Sequence, residues 1–88
     1  DSIGYALDPE TKTGLAKPHY EKLIELINAK PTKDETDNER LIESYRYMGY
    51  YFLLKKDKAN SVMYWNKILE IEPENAMAKQ ALGLAEQL

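Results

Sequence analysis

The chain carries few residues whose type and spacing point to catalysis. Its single histidine, His19, falls in the first turns of a predicted helix, and a general base there would need a positioned partner. Three serines, Ser2, Ser44 and Ser61, stand in no nucleophile elbow and in no triad spacing. The sequence therefore predicts a surface or partly covered histidine, and no enzyme.

Metal and cofactor chemistry is equally poorly represented. The carboxylates are numerous but scattered, as in Glu21 with Glu25 or Glu70 with Glu72, and this pattern is typical of solvated helix faces. Because there is no cysteine, a thiolate metal site and a disulfide framework are excluded. The four glycines lie far apart, so no phosphate-binding loop is present. We expect no cofactor and no metal.

Charge and hydropathy limit the partners. With 12 basic and 15 acidic residues the net charge is -3, whereas nucleic-acid binding usually needs a clustered basic face. The basic turn Lys55–Lys58 invites an anionic ligand, but its neighbours favour a solvated loop. No apolar run reaches the roughly 18–20 residues that span a bilayer. We expect neither nucleic acid nor membrane insertion, and the sequence indicates no compartment.

Apolar residues at three- and four-residue spacing predict an all-α fold. The first expected helix covers Leu15 to about Ala29, and the second is a long segment that ends near Lys55. The third covers Ala59–Ile71 and the fourth covers Ala76–Leu88. Two overlapping capping signatures, Thr32-x-x-Glu35 and Thr36-x-x-Glu39, mark the start of the long helix. Residues 1–7 alternate like a strand, but we interpret them as the remnant of a helix.

A period of 34 residues organises these helices. Ile42 to Asn75 forms one helix–turn–helix unit of that length, and Ala81-Leu82-Gly83 echoes Tyr47-Met48-Gly49 at the same distance. Repetition at such a period is typical of stacked helical units, in which one helix pair cannot bury its apolar face alone. Most of the tyrosines crowded on the long helix are therefore expected to pack in the core or between units.

The pattern resembles the tetratricopeptide repeat family. The family has bulky residues early in its first helix, then a glycine and an aromatic residue, and this chain has Tyr45, Met48, Gly49 and Phe52 at those positions. The family's small residue, second aromatic residue and closing proline are matched by Ser61, Trp65 and Pro73. Ile68 departs from the usual alanine. The resemblance implies antiparallel helix–turn–helix repeats in a right-handed α-solenoid, where Gly49 and Ser61 allow close helix approach.

The resemblance also implies a domain organisation. Residues 1–88 form one domain, with a partial repeat at 1–30, a complete repeat at 42–75 and a capping helix at 76–88. The partial repeat follows from Tyr20–Leu26, which parallels Trp65–Ile71. We therefore interpret the chain as the C-terminal segment of a longer bacterial repeat protein.

In that family the first helix of each unit lines a concave groove, which implies a protein or peptide partner. The matching positions are Glu43, Arg46, Tyr50, Leu53 and Leu54, followed in the next helix by Met77, Gln80, Leu84 and Gln87. Tyr50 stands where family members that bind a terminal carboxylate have asparagine. The resemblance thus favours an extended or helical peptide, with aromatic and arginine hot spots.

Self-association is the alternative function. If the first helix pair is incomplete, Leu15, Tyr20, Leu23 and Ile27 lack part of their cover. A second copy supplies that cover in a homodimer, even by exchange of helices.

Overall fold

The computed structural model describes residues 14–88, and the regular secondary structure of this part of the chain consists of helices joined by short turns. Its helices are α1 (Lys17–Asn28), α2 (Glu35–Leu54), α3 (Lys58–Ile71) and α4 (Ala76–Glu86). The predicted all-α class and its four helices are confirmed for the described residues, with ends that differ by at most a few positions. The predicted helix remnant at residues 1–7 lies outside them.

Helix α2 is the centre of the structure because it contacts the other three helices. Each helix also packs against its successor in the sequence, so that α1 lies on α2, α2 on α3, and α3 on α4. The contact between α2 and α4 is lighter. Short connections explain this order, since a few residues suffice only to bring a helix back against its predecessor.

Acidic side chains, and not the predicted threonines, begin α2. Asp34 accepts a hydrogen bond from the backbone N–H of Asp37 (2.8 Å), and Asp37 accepts one from Asp34 (3.2 Å). Lys30 adds an ion pair to the buried Asp37 at 2.8 Å. The prediction that Thr32 and Thr36 cap α2 is therefore wrong, because Asp34 and Asp37 form the capping box and Lys30 holds the Asp37 carboxylate.

Capping side chains also begin α3 and α4. Asp57 accepts from the backbone N–H of Asn60 at 3.2 Å, and Asn75 accepts from that of Ala78 at 2.8 Å. Helix α1 has no side-chain cap, but Pro18 lies in its first turn, where its missing N–H leaves no hydrogen bond unmade. The caps therefore satisfy exposed backbone donors at three of the four helix starts.

A tight turn joins α2 to α3. The N–H of Asp57 bonds to the carbonyl of Phe52 (2.9 Å), and that of Lys56 bonds to the carbonyl of Leu53 (3.1 Å). This pair of hydrogen bonds places Lys56 in the left-handed region, at φ 60°. A non-glycine residue there costs roughly 1–2 kcal/mol, so the predicted polar turn is shorter and more strained than its composition indicates.

The core lies between α2 and the helices that cover it. All four helices contribute buried apolar side chains: Ile27, Leu41, Tyr45, Met48, Tyr50, Trp65, Ile68, Ala78, Ala81 and Ala85. Helix α4 contributes alanines alone, and their small volume allows its backbone to lie close to α3. Ile68, the departure from the repeat pattern, is accommodated with only 2% of its surface exposed.

Gly49 is the point of closest approach between α2 and α3. A Cβ atom at Gly49 would lie 2.6 Å from Cε2 of Trp65, far inside van der Waals contact. The indole N–H of Trp65 donates to Ser61 Oγ (3.1 Å), and that hydroxyl donates to the Gly49 carbonyl (2.9 Å). Both side chains are fully buried, so this chain of hydrogen bonds satisfies polar groups that would otherwise be costly.

The glycine contact predicts opposite effects for two glycines 34 residues apart. We expect Gly49→Ala to lower the free energy of unfolding by about 1–3 kcal/mol, because the indole must move out of a packed core. Gly83 has no atom within 4 Å of its Cβ position. Gly83→Ala should therefore stabilise α4 by about 0.5–1 kcal/mol. Urea unfolding followed by circular dichroism measures both, and equal effects would contradict the contact.

The Asp37 ion pair predicts an acid-sensitive contribution to stability. Hydrogen bonds from Lys30 and from the Asp34 backbone lower the pKa of Asp37. Its contribution is therefore complete above the ordinary aspartate pKa of about 3.9 and is lost as pH falls through the lower folded pKa. We expect Asp37→Asn to flatten the fall in the free energy of unfolding below pH of about 4.

A matched control for this pH measurement is Glu35→Gln. Glu35 lies in the same first turn of α2, is exposed and makes no ion pair with the described residues. Its variant should keep the wild-type pH profile. If Asp37→Asn also kept it, the contribution assigned to the ion pair would be wrong.

Candidate functional site

The predicted groove residues of α2 form one side of an unbroken helix. Glu43, Arg46 and Leu53 follow each other at steps of three and seven residues within Glu35–Leu54, and Leu54 lies eleven residues after Glu43, so all four fall on one broad face of the helix. Glu43 is exposed, and the other three are half-buried. Four of the five predicted α2 positions are therefore accessible to a ligand.

Arg46 is the charged group of this face without an internal partner. Its side chain is half-buried, yet among the described residues it makes no hydrogen bond and no ion pair. Glu43, three positions earlier, is likewise not paired with it. A guanidinium carries five N–H donors, so Arg46 retains its hydrogen-bonding capacity for a ligand.

Tyr50 requires a correction. It was expected on the accessible groove face, but only 2% of its surface is exposed. Its ring lies edge-on to Trp65, with centroids 4.7 Å apart and an interplanar angle of 78°. The close approach at Gly49 brings Trp65 against the neighbouring residue and thereby buries Tyr50. Tyr50 is therefore part of the core and is not accessible to a ligand.

Helix α4 contributes the second half of the predicted groove. Because α2 and α4 are in contact, their two sets of residues lie on adjacent helices. Gln80 and Gln87 are exposed, Met77 is half-buried against the core, and Leu84 exposes 43% of its surface. We use the name α2/α4 face for the predicted groove residues of these two helices that are not buried: Glu43, Arg46, Leu53, Leu54, Gln80 and Leu84.

A second constellation was not predicted as a site. At the junction of α1, α2 and α3, Tyr20 stacks on Tyr47 with centroids 4.6 Å apart, and Phe52 stacks on Tyr64 at 5.9 Å. Lys17 Nζ lies 2.8 Å from Glu21 and 5.7 Å from the Tyr51 ring centroid. The four-residue spacing of Lys17 and Glu21 predicts their ion pair. The rings of the cluster belong to other helices, so the sequence pattern does not predict their contact with Lys17.

The electrostatics of this junction reflect its mixed composition. The hydrogen bond to Glu21 raises the pKa of Lys17, against the opposing effect of partial burial. Burial raises the pKa of the Tyr64 hydroxyl, and the nearby Glu21 carboxylate raises it further. Lys17 therefore carries its positive charge, and Tyr64 its proton, at neutral pH.

The serine and histidine side chains of the described residues, which are types that can act in catalysis, are either hydrogen-bonded in the core or exposed to solvent. Ser44 and Ser61 are fully buried, and their hydroxyls donate to the carbonyls of Arg40 (2.7 Å) and Gly49 (2.9 Å). His19 is exposed and its ring meets Tyr20 edge-on at 5.1 Å. Ser2 lies outside the described residues. Within residues 14–88 no three acidic, histidine or cysteine side chains cluster as metal ligands.

The charged and apolar surfaces contain no further predicted site. Lys55, Lys56 and Lys58 are exposed, as expected of a solvated turn. Across the described chain no helix combines the length and the apolar character needed to cross a membrane.

The residues expected to lack cover differ from one another. Leu15 exposes 77% of its surface, whereas Ile27 exposes only 4%, so the expectation for Ile27 is wrong. Tyr20 is half-buried by its stack on Tyr47, and Leu23 packs against the core. Helix α2 covers most of the α1 face for which a second copy was invoked. Leu26, which was not predicted, is 55% exposed.

Comparison of the chain with models of protein families, with curated proteins and with solved structures gives no match. Two surfaces of the described chain are therefore the candidates for function, the α2/α4 face and the aromatic junction of α1, α2 and α3.

Proposed function

We propose that this chain is a helical-repeat scaffold, of the tetratricopeptide type, that binds a peptide or protein segment along the α2/α4 face. The observation that carries the proposal is Arg46, a half-buried guanidinium that makes no hydrogen bond or ion pair within residues 14–88, on a face that also presents leucines. Arginine beside accessible apolar side chains is a common composition of binding hot spots. The chain is not proposed to be an enzyme.

The packing order supports the repeat interpretation. Successive helices pack on one another, and the alternate helices α2 and α4 also touch, as stacked helix pairs require. The close contact of Gly49 with Trp65 lies where the repeat pattern places its small and aromatic residues. These features agree with 42–75 as a complete unit formed by α2 and α3.

The polarity of α4 supports its proposed role as a capping helix. At the positions 34 residues after Tyr45 and Phe52, α4 has the exposed residues Lys79 and Glu86. Tyr45 is buried and Phe52 half-buried against neighbouring helices. Helix α4 therefore covers α3 with its alanines and turns charge outward where α2 turns aromatic rings inward.

The Arg46 proposal predicts a selective loss of affinity. A random peptide library selected on the wild-type chain provides the probe, and the enriched peptide is then titrated against variants. Arg46→Ala should weaken binding at least about tenfold, a loss of about 1.4 kcal/mol. Arg40→Ala is the matched control, since it removes the same charge from an exposed position of the same helix. Equal affinities for the wild type and Arg46→Ala would exclude Arg46 from the site.

Self-association remains a second proposed function, favoured by the exposed leucines Leu15 and Leu26. A dimer that uses this surface should dissociate in Leu26→Glu, because a buried unpaired carboxylate is strongly unfavourable at an interface. Leu84→Glu, on the opposite end of the helix series, should leave it intact. Sedimentation velocity at two concentrations measures both variants. A wild type that is monomeric at both concentrations would contradict this function.

A further inference from the structure

The aromatic junction holds an ammonium group among rings and a carboxylate. Lys17 Nζ lies 5.7 Å from the centroid of Tyr51, 5.9 Å from that of Phe52 and 2.8 Å from Glu21 Oε2. The lysine side chain retains 28% of its exposure. The ammonium is therefore bound from one side and remains reachable from solvent on the other.

The aromatic walls are built independently of their occupant. Phe52 of α2 and Tyr64 of α3 stack with an interplanar angle of 3°, and Tyr51 meets Phe52 edge-on at 5.1 Å. Helices α2 and α3 are fixed to each other by the contact of Gly49 with Trp65. Removal of the Lys17 amine should therefore leave the rings in place and the Glu21 carboxylate without its cation.

The chemistry of these walls selects one class of ligand. Aromatic faces attract cations through the ring quadrupole, and they bind alkylammonium groups particularly well because the alkyl carbons contact the ring. A carboxylate beside them disfavours anions. Hard divalent metals prefer several oxygen ligands, and the junction provides one carboxylate and tyrosine hydroxyls. An organic ammonium ion fits this combination best.

We propose that Tyr51, Phe52, Tyr64 and Glu21 form a binding site for an organic ammonium ion, which Lys17 occupies in this structure as an internal ligand. The four-carbon stem of lysine is flexible, so rotation of its side chain opens the site without displacement of α1. The site lies apart from the α2/α4 face and does not depend on the function proposed for that face. Its ligand is the lysine side chain of another protein or a small quaternary amine.

Exchange of the internal ligand for an external one tests the proposal. Lys17→Met keeps the side chain's bulk but removes the charge. Tetramethylammonium chloride is titrated against sodium chloride at equal ionic strength, while NMR follows the ring resonances of Tyr51, Phe52 and Tyr64. We expect saturable ring shifts in Lys17→Met, with an affinity at least about tenfold above the wild type. A second titration with Nα-acetyl-lysine methylamide distinguishes a lysine ligand from a quaternary amine.

Two control variants test whether the binding depends on Lys17 and on the aromatic rings. Lys55→Met removes a lysine whose Nζ lies 5.5 Å from the Tyr51 centroid but leaves Lys17 in place, so it should bind the probe as weakly as the wild type. Phe52→Leu combined with Lys17→Met should abolish the saturable shifts. Equal affinity in wild type and Lys17→Met, or no saturation by either probe in Lys17→Met, would overturn the proposal.

A measurement on the unmodified chain guards against variants that do not fold. Occupancy of the site by Lys17 predicts nuclear Overhauser contacts between its Hε protons and the ring protons of Tyr51 and Phe52. Lys22, which pairs with Glu25 on the same helix and contacts no ring among the described residues, should give none. Absence of the Lys17 contacts would overturn the proposal whatever the variants do.

Discussion

The contact of α2 with α3 at Gly49 is the constraint on which the rest of the structure depends. No side chain fits between the helix backbone and the Trp65 ring, so the two helices reach this distance only at glycine. Ser61 then provides both a small volume and the acceptor for the indole N–H. Because Trp65 and Tyr50 pack edge-on, the same approach buries a tyrosine that helix geometry alone would place on an accessible face.

The joint between α1 and α2 is held by a different kind of chemistry. The stacked rings of Tyr20 and Tyr47 join the two helices, and the ion pair of Lys30 with Asp37 ties the connection between them to the start of α2. Exposed ion pairs contribute little to stability because water screens them, whereas a buried carboxylate depends on its partner. Helix α1 is therefore joined to α2 by polar and aromatic groups as well as by its buried Ile27, whereas α3 is joined to α2 by the close packing at Gly49.

This division gives the two proposed surfaces their character. The proposed α2/α4 face includes Arg46, which lies on α2 and makes no hydrogen bond or ion pair with the described residues. The aromatic junction spans both parts, with fixed rings on α2 and α3 and a flexible lysine on α1. A peptide face suits the first because rigid elements position side chains at low entropic cost, and an exchangeable cation suits the second.

The sequence alone determined the helices and their approximate ends, because these follow from local periodicity. The close approach at Gly49 and Ser61 was an expectation that the resemblance to a repeat family implied. Tertiary structure decided which accessible positions remain. The position of Tyr50 was predicted wrongly because its burial depends on a ring contributed by another helix. The cap of α2 was predicted wrongly because Asp37 is held by Lys30, which lies in the connection before the helix. The aromatic junction was likewise not predicted from the sequence. Contacts between helices depend on their relative positions, which the pattern along a single helix does not contain.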